Sequence, residues 1–145
     1  MNSAGSTTGA VAMAGTFGYE LNLGKLSEEE KEEIRSQVEE YRKFAPLIQT
    51  GLYYRLSDPS KEEYAAWAFV SEDQKEVLLN VVMQEIHGNM TVNYVNLQGL
   101  KCSAVYRDTE TGKTYNGAAL MEAGIPMPVE MGEFKAYQMH LAAEE

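Results

Sequence analysis

Residues 64–86 read YAAWAFVSEDQKEVLLNVVMQEI. Two runs rich in aromatic, β-branched and other apolar residues flank SEDQK (71–75), whose Ser, Asp and Gln are turn chemistry, so the runs read as consecutive strands. In YAAWAFV, Trp67 alternates with Ala65 and Phe69, which places the three on one face and in the core. The same short period continues outward through LYYRL (52–56), TVNYVNL (91–97), SAVYR (103–107), KTYN (113–116) and FKAYQMHL (134–141). Between the runs lie SDPSKE (57–62), HGNM (87–90), LQGLK (97–101) and DTETG (108–112), all turn chemistry. Short strands at such close spacing predict an antiparallel sandwich or a small barrel. One short helix interrupts them: Asn116 can cap GAALMEAG (117–124), Gly124 can end it, and Pro126 and Pro128 keep it from resuming.

Upstream the pattern changes. AVAMAGTF (10–17) has the composition of a strand buried on both faces. Ser27 followed by Glu30 has the capping-box spacing, and Glu28, Glu29 and Glu30 set negative charge on the positive end of the helix dipole. Ile34, Val38, Tyr41, Ala45 and Ile48 form one apolar stripe on this charged helix. Pro46 is expected to bend or end it, with Gly51 as its limit. A lone strand followed by a helix cannot bury both faces, so an upstream partner is expected. Residues 1–8 read as a disordered lead or a vector-derived scar.

The 145 residues suit one domain, and 44% hydrophobic against 23% charged residues is an ordinary globular balance. Twenty-two acidic residues against 12 basic ones give a net charge of -10, which disfavours nucleic acid and anionic membrane surfaces as partners. Cys102 is alone, so neither an internal disulfide nor a cysteine-rich metal site is possible, a usage that fits a reducing compartment. There is no visible secretory signal and no apolar run long enough to span a bilayer, so the chain is expected to be soluble.

Several stretches together resemble the C-terminal portion of the glycoside hydrolase family 36 α-galactosidases. They are GAVAMAGTFGYELNLGKLSEEEKEEI (9–34), LIQTGLYYRL (47–56), AAWAFVSEDQKEVLL (65–79), YNGAALMEAGIPMP (115–128) and GEFKAYQMHL (132–141), in that order. In that family a catalytic (β/α)8 barrel precedes an antiparallel β-sandwich. The resemblance therefore implies a mainly β fold: a Greek-key-like β-sandwich over residues 51–145, preceded by one amphipathic helix and an orphan strand from a truncated barrel, together residues 9–50. It further implies a retaining hydrolase releasing terminal α-linked galactose from melibiose- or raffinose-like sugars, without metal or organic cofactor, in a bacterial cytoplasm and often as a homo-oligomer. MNSAGSTT replaces the polar and basic residues that the family carries before GAVAMAGTFGYEL, which reads as a cut upstream of Gly9 or as a truncated gene product.

Retaining glycosidases need two carboxyl groups about 5–5.5 Å apart. The family draws them from aspartates in motifs absent here. Only Asp58, Asp73 and Asp108 occur, all in predicted turns, and the Glu28–Glu33 cluster reads as a solvated helix start. No catalytic residue is assigned, and the chain alone is expected to be inactive. Barrel enzymes place substrate at the C-terminal ends of their strands. Gly18, Tyr19 and Glu20 are thus candidates for the pocket rim of the intact enzyme, although glycines beside Phe17 also serve close packing or a tight turn.

Other motifs carry less. Gly112-Lys113-Thr114 ends like a phosphate-binding loop, but Arg107 stands where the upstream glycine belongs, so it reads as a hairpin turn. His87 and His140 have no Cys or His at ligand spacing, so no metal is expected. Asn89-Met90-Thr91 is a formal glycosylation acceptor with no secretory signal to make it meaningful. Tyr53, Tyr54, Tyr64, Trp67, Tyr94, Tyr106, Tyr115 and Tyr137 are ordinary sheet residues or, if two or more are exposed on one face, a sugar-stacking platform. Three roles remain: a non-catalytic domain supporting an absent catalytic barrel, a carbohydrate-binding module, and a stand-alone interaction domain. The first is favoured by the apolar helix stripe. Without the barrel, self-association through the helix face or refolding of the N-terminal strand onto the sandwich is expected.

Overall fold

The acid-rich segment after Leu26 starts its helix where the capping box predicts. In a computed structural model, which describes residues 2–3, 23–58, 60–83, 92–128 and 135–144, the Ser27 N–H donates to Glu30 Oε2 at 2.8 Å and the Glu30 N–H donates to Ser27 Oγ at 3.2 Å. Helix α1 (Glu28–Thr50) follows a 3-10 turn at Leu23–Lys25. It runs on past Pro46 to Thr50, so the helix does not end there. Pro46 lies on the exposed side, and Phe44, Leu47 and Ile48, buried around it, hold the helix down. The lost main-chain donor is tolerated because burial of this face outweighs it. Gly51 ends α1 as predicted, its N–H donating to the Leu47 carbonyl at 2.8 Å. A Cβ there would come within 2.4 Å of that same oxygen.

The strands are β1 (Asn2–Ser3), β2 (Leu52–Arg55), β3 (Tyr64–Val70), β4 (Glu76–Met83), β5 (Tyr94–Val95), β6 (Val105–Asp108), β7 (Thr114–Asn116), β8 (Ile125–Pro126) and β9 (Lys135–Ala143). Six of them lie in the order β2-β3-β4-β9-β6-β7, all antiparallel, with β1 completing a seven-stranded sheet. The last strand thus inserts between β4 and β6, the Greek-key-like feature. β5 and β8 make a second, two-stranded sheet. Asn2 and Ser3, in the segment read as a disordered lead or a vector-derived scar, pair with Gln138 and Tyr137 of β9. Pro126, expected only to keep the helix from resuming, forms a short strand with Ile125. Pro126 fits because a two-stranded sheet has free edges that need no N–H from it.

Alternation then sorts the core into two faces. Ala66, Ala68 and Val70 of β3 and Val77, Leu79 and Val81 of β4 pack with Val95, Leu97, Leu120 and Ile125, so the small sheet and the short helix α2 (Gly117–Glu122) cover one side. Trp67, Phe69, Leu78, Val82 and Ala136 pack with Phe44, Leu47 and Ile48 of α1 on the other. Trp67 shares its face with Phe69 and Ala65, as predicted. Burial on both faces explains why β4 reads as an apolar run rather than an alternation. Of the predicted helix stripe, Ile48 is buried, whereas Ile34, Val38, Tyr41 and Ala45 are half-buried. Phe44 and Leu47 do more of the burying, because the C-terminal part of α1 is the part seated on the sheet. Asn116 caps α2, accepting from the Ala118 and Ala119 N–H groups at 2.9 and 3.4 Å. Gly124 follows α2 at φ 79° with its N–H on the Ala119 carbonyl, the left-handed exit predicted for it.

Candidate functional site

The helix-side face of β9 carries polar residues at alternate positions, Gln138 and His140, after Ala136. Opposite them α1 presents Glu40 and Lys43 beside Phe44, and the β6–β7 turn presents Thr109 and Glu110. Together these line a cleft of about 540 Å³. The His140 ring packs on Phe44 with centroids 5.1 Å apart, and its Nδ1 lies 3.1 Å from Thr109 Oγ1. Burial holds the His140 pKa below its ordinary value of 6.5, and the charge of Lys43 pushes the same way, against the pull of Glu76, whose Oε2 is 3.9 Å from Nε2. Burial raises the Glu40 carboxyl above its ordinary 4.5, with Lys43 opposing and the Glu110 charge adding. Deeper in, Gln138 Nε2 donates to Asn80 Oδ1 at 2.9 Å, and both side chains are buried. The cleft therefore favours a neutral imidazole and lessens the ionisation of a carboxyl.

The aspartates are occupied elsewhere. Asp58 accepts from the Ser60 hydroxyl at 2.6 Å and pairs with Lys61. Asp73 accepts from the Ser71 hydroxyl at 2.6 Å and from the Lys75 N–H at 3.1 Å. Asp108 is buried at the end of β6, accepting from the Thr111 hydroxyl at 2.7 Å and the Glu110 N–H at 2.9 Å. Burial alone would push its carboxyl up, but these bonds outweigh that and leave it below the ordinary carboxylate range. Each aspartate forms a turn, as predicted, and Gly112-Lys113-Thr114 closes the β6–β7 hairpin through Asp108. The glutamates of 28–33 serve the helix: Glu30 closes the cap, while Glu28 and Glu32 pair with Lys31 and Arg35.

Gly18, Tyr19 and Glu20 lie outside the described residues, as do His87 and Asn89-Met90-Thr91. Among the described residues no three His, Cys, Asp or Glu side chains cluster as a metal site, and no helix is long and apolar enough to cross a membrane. Of the aromatic set, Tyr64, Trp67, Tyr106 and Tyr137 are buried, and Tyr53 and Tyr94 stay exposed. Tyr53 stacks edge-on against Phe69 on the helix side, whereas Tyr94 precedes Val95 in the small sheet over the opposite face. The two exposed rings form no common platform. The cleft itself was not anticipated. Glu40 precedes Phe44 by one helical turn, and Gln138 and His140 alternate on one strand, so spacing held its two halves but not their meeting.

Comparison with known proteins places this geometry. Residues 64–141 match the family model described as Glycosyl hydrolase family 36 C-terminal domain, and residues 2–51 match Melibiase. The bifunctional alpha-galactosidase/sucrose kinase AgaSK of Mediterraneibacter gnavus is 52% identical over 132 residues, which is 91% of this chain and 14% of that protein. Alpha-galactosidase Mel36A of Lactobacillus acidophilus is 38% identical over 95% of this chain and 19% of its own length. Among solved structures, the galactosidase domain of AgaSK superposes with a TM-score of 0.87 at 50% identity, covering 94% of this chain and 19% of that one. The GH36 alpha-galactosidase AgaB from Geobacillus stearothermophilus gives 0.87 at 39% identity over the same shares. The chain thus spans less than one fifth of the length of these relatives.

Proposed function

The chain belongs to glycoside hydrolase family 36, whose C-terminal domain it contains, and from that premise we propose that it acts as the non-catalytic support of an α-galactosidase barrel carried by the same polypeptide. The parent enzyme, in this reading, releases terminal α-linked galactose from raffinose- or melibiose-like sugars with retention of configuration, in the cytoplasm and as a homo-oligomer. A variant of the relative AgaA from Geobacillus stearothermophilus is known in complex with raffinose, which supports that substrate class. Residues 9–50 are then the last barrel strand and helix and residues 51–145 the sandwich, with Gly18, Tyr19 and Glu20 near the substrate pocket.

The observation that carries the support role is the use of all three aspartates in turns. Retaining hydrolysis needs a nucleophile and an acid/base about 5–5.5 Å apart on either side of the bond, and Asp58, Asp73 and Asp108 are each committed to neighbouring hydroxyl and N–H donors. The second supporting feature is continuity. The capped helix passes through Gly51 directly into β2, so a barrel ending in α1 has its last helix built into the sandwich core through Phe44, Leu47 and Ile48. The carbohydrate-module reading gains nothing from Tyr53 and Tyr94, which lie on opposite sides.

The test is hydrolysis of p-nitrophenyl α-galactoside by the purified chain, by the encoding gene product extended upstream, and by that product cut back before Leu52. The expected result is turnover only by the extended protein, with severe loss of soluble enzyme when the sandwich is removed. Turnover by the 145-residue chain, or a fully active and stable enzyme without the sandwich, overturns the assignment.

A further inference from the structure

Two large apolar side chains that stay exposed are neighbours on β2: Leu52 at 52% and Tyr53 at 58%. Side chains alternate along a strand, so the two project to opposite faces. A layer laid on either face covers one of them and leaves the other in water. A strand added edge-on flanks both.

The edge is open for such a strand. β2 ends the strand order and, among the described residues, pairs only with β3. The Leu56 N–H donates to the Ala66 carbonyl at 2.9 Å, which sets the alternation along the register Leu52↔Val70 to Arg55↔Trp67. Leu52, Tyr54 and Leu56 therefore turn their main-chain groups toward β3, and Tyr53 and Arg55 turn theirs outward. Charge favours a second copy as the occupant. From Pro46 to Ser57 Arg55 is the sole charged residue, in a chain that carries -10 overall. The stretch itself is free of acidic residues in an acidic chain, with Asp58 and Glu62 bordering it beside Arg55, so little like-charge repulsion opposes two copies that meet along it.

We propose that the outer edge of β2 pairs antiparallel with the same edge of a second copy of this chain, about a two-fold axis at Tyr54. In that register Tyr53 faces Arg55 of the other copy and Arg55 faces Tyr53, each pair exchanging two main-chain hydrogen bonds. The guanidinium of each copy then lies against the exposed phenol ring of the other. On the opposite face Leu52 meets Leu56, and Tyr54 meets its own counterpart. The contact is isologous and closes on itself, so it gives a dimer rather than a filament. A pairing this short is a small interface of the weak, transient class, and association is expected with a dissociation constant of about 0.1–1 mM. The inference stands on the strand edge alone and is independent of the catalytic assignment.

Sedimentation equilibrium of the 145-residue chain across that concentration range tests it. The expected average mass climbs from 16.2 kDa toward twice that value. Tyr53→Lys sets an ammonium against Arg55 at both symmetric positions and is expected to weaken association at least tenfold, with circular dichroism and Trp67 emission unchanged. Tyr94→Lys, at a site 55% exposed but away from β2, is expected to leave association as it was. Tyr54→Cys on a Cys102→Ser background is expected to form a disulfide-linked dimer on mild oxidation, because facing residues in a wide pair come close enough for it. A constant monomer mass, a dimer indifferent to Tyr53→Lys but lost with Val38→Lys, or a folded Tyr54→Cys variant that never cross-links overturns the proposal.

Discussion

The hydroxyl of Tyr106 donates to the carbonyl of Gln74 at 2.7 Å, across 32 residues of sequence. The same oxygen accepts from the Lys101 N–H at 3.0 Å. Tyr106 is fully buried, and Gln74 sits at φ 59°, a conformation that non-glycine residues seldom hold. One phenol thus ties the β3–β4 turn to the segment entering β6. Tyr106→Phe keeps the ring and strands both partners. The expected loss is about 1–3 kcal/mol, read as a lower urea midpoint with an unchanged slope.

Gly51 supports the passage from α1 into β2. Its φ of -71° is open to any residue, so the constraint is space: a Cβ there meets the Leu47 carbonyl at 2.4 Å and the Val70 carbonyl at 3.1 Å. Gly51→Ala must lift the end of α1 from the sheet or bend the strand, at about 1–3 kcal/mol as for other overpacked sites. Thermal unfolding followed by far-ultraviolet circular dichroism checks it. An unchanged midpoint would show that the turn has slack.

Asn80 and Gln138 are register partners on β4 and β9, and their buried side chains hydrogen-bond at 2.9 Å on the helix-side face. Asn80→Leu leaves the Gln138 amide buried without its acceptor, so it is expected to cost about 1–3 kcal/mol. Adding Gln138→Leu removes the stranded group, and the double variant is expected to recover part of that loss. A double-mutant cycle by urea denaturation measures the coupling, and strict additivity would sink the claim.

His140 and Glu40 give the cleft opposite responses to pH. The folded-state pKa of His140 is lowered, so the unfolded chain binds more protons between the two values, and stability falls as pH drops through 6.5 toward the folded pKa. The pKa of Glu40 is raised, so its contribution is present below 4.5 and is lost as pH rises through the folded value. His140→Gln is expected to flatten the decline in melting temperature between pH 7.5 and 5.5. Glu40→Gln is expected to raise the melting temperature at pH 7 and do little at pH 4. Parallel curves for wild type and His140→Gln would contradict the first expectation.

Local chemistry was legible where it is self-contained. The Ser27–Glu30 box, the Asn116 cap, the Gly124 exit and the alternation of Trp67 with Phe69 need only a few neighbouring residues, and each forms as its spacing predicts. The sandwich and the family followed from strand runs and ordered motifs in the same way. What depended on distant partners was not legible. Pro46 stays helical because Phe44, Leu47 and Ile48 find a sheet to rest on, and nothing local announces that sheet. Asn2–Ser3 and Ile125–Pro126 are too short to carry a period, and they become strands only because β9 and β5 offer edges. The cleft joins one turn of α1 to two alternate residues on β9 and a hairpin tip, so its polar groups look like ordinary surface until the fold sets them face to face.

The insertion of β9 between β4 and β6 has a consequence for synthesis on the ribosome. β2, β3 and β4 are consecutive and can pair as soon as they emerge, and the β6–β7 hairpin can close by itself. Between them, until Lys135–Ala143 has been translated and has left the exit tunnel, the inner edges of β4 and β6 stand open. A nascent chain paused there offers two sticky edges to chaperones and to its neighbours on the same polysome. The arrival of one late strand fills the gap from both sides at once, so the chain is expected to pass from protease-sensitive to protease-resistant in a single narrow step once β9 is free of the tunnel.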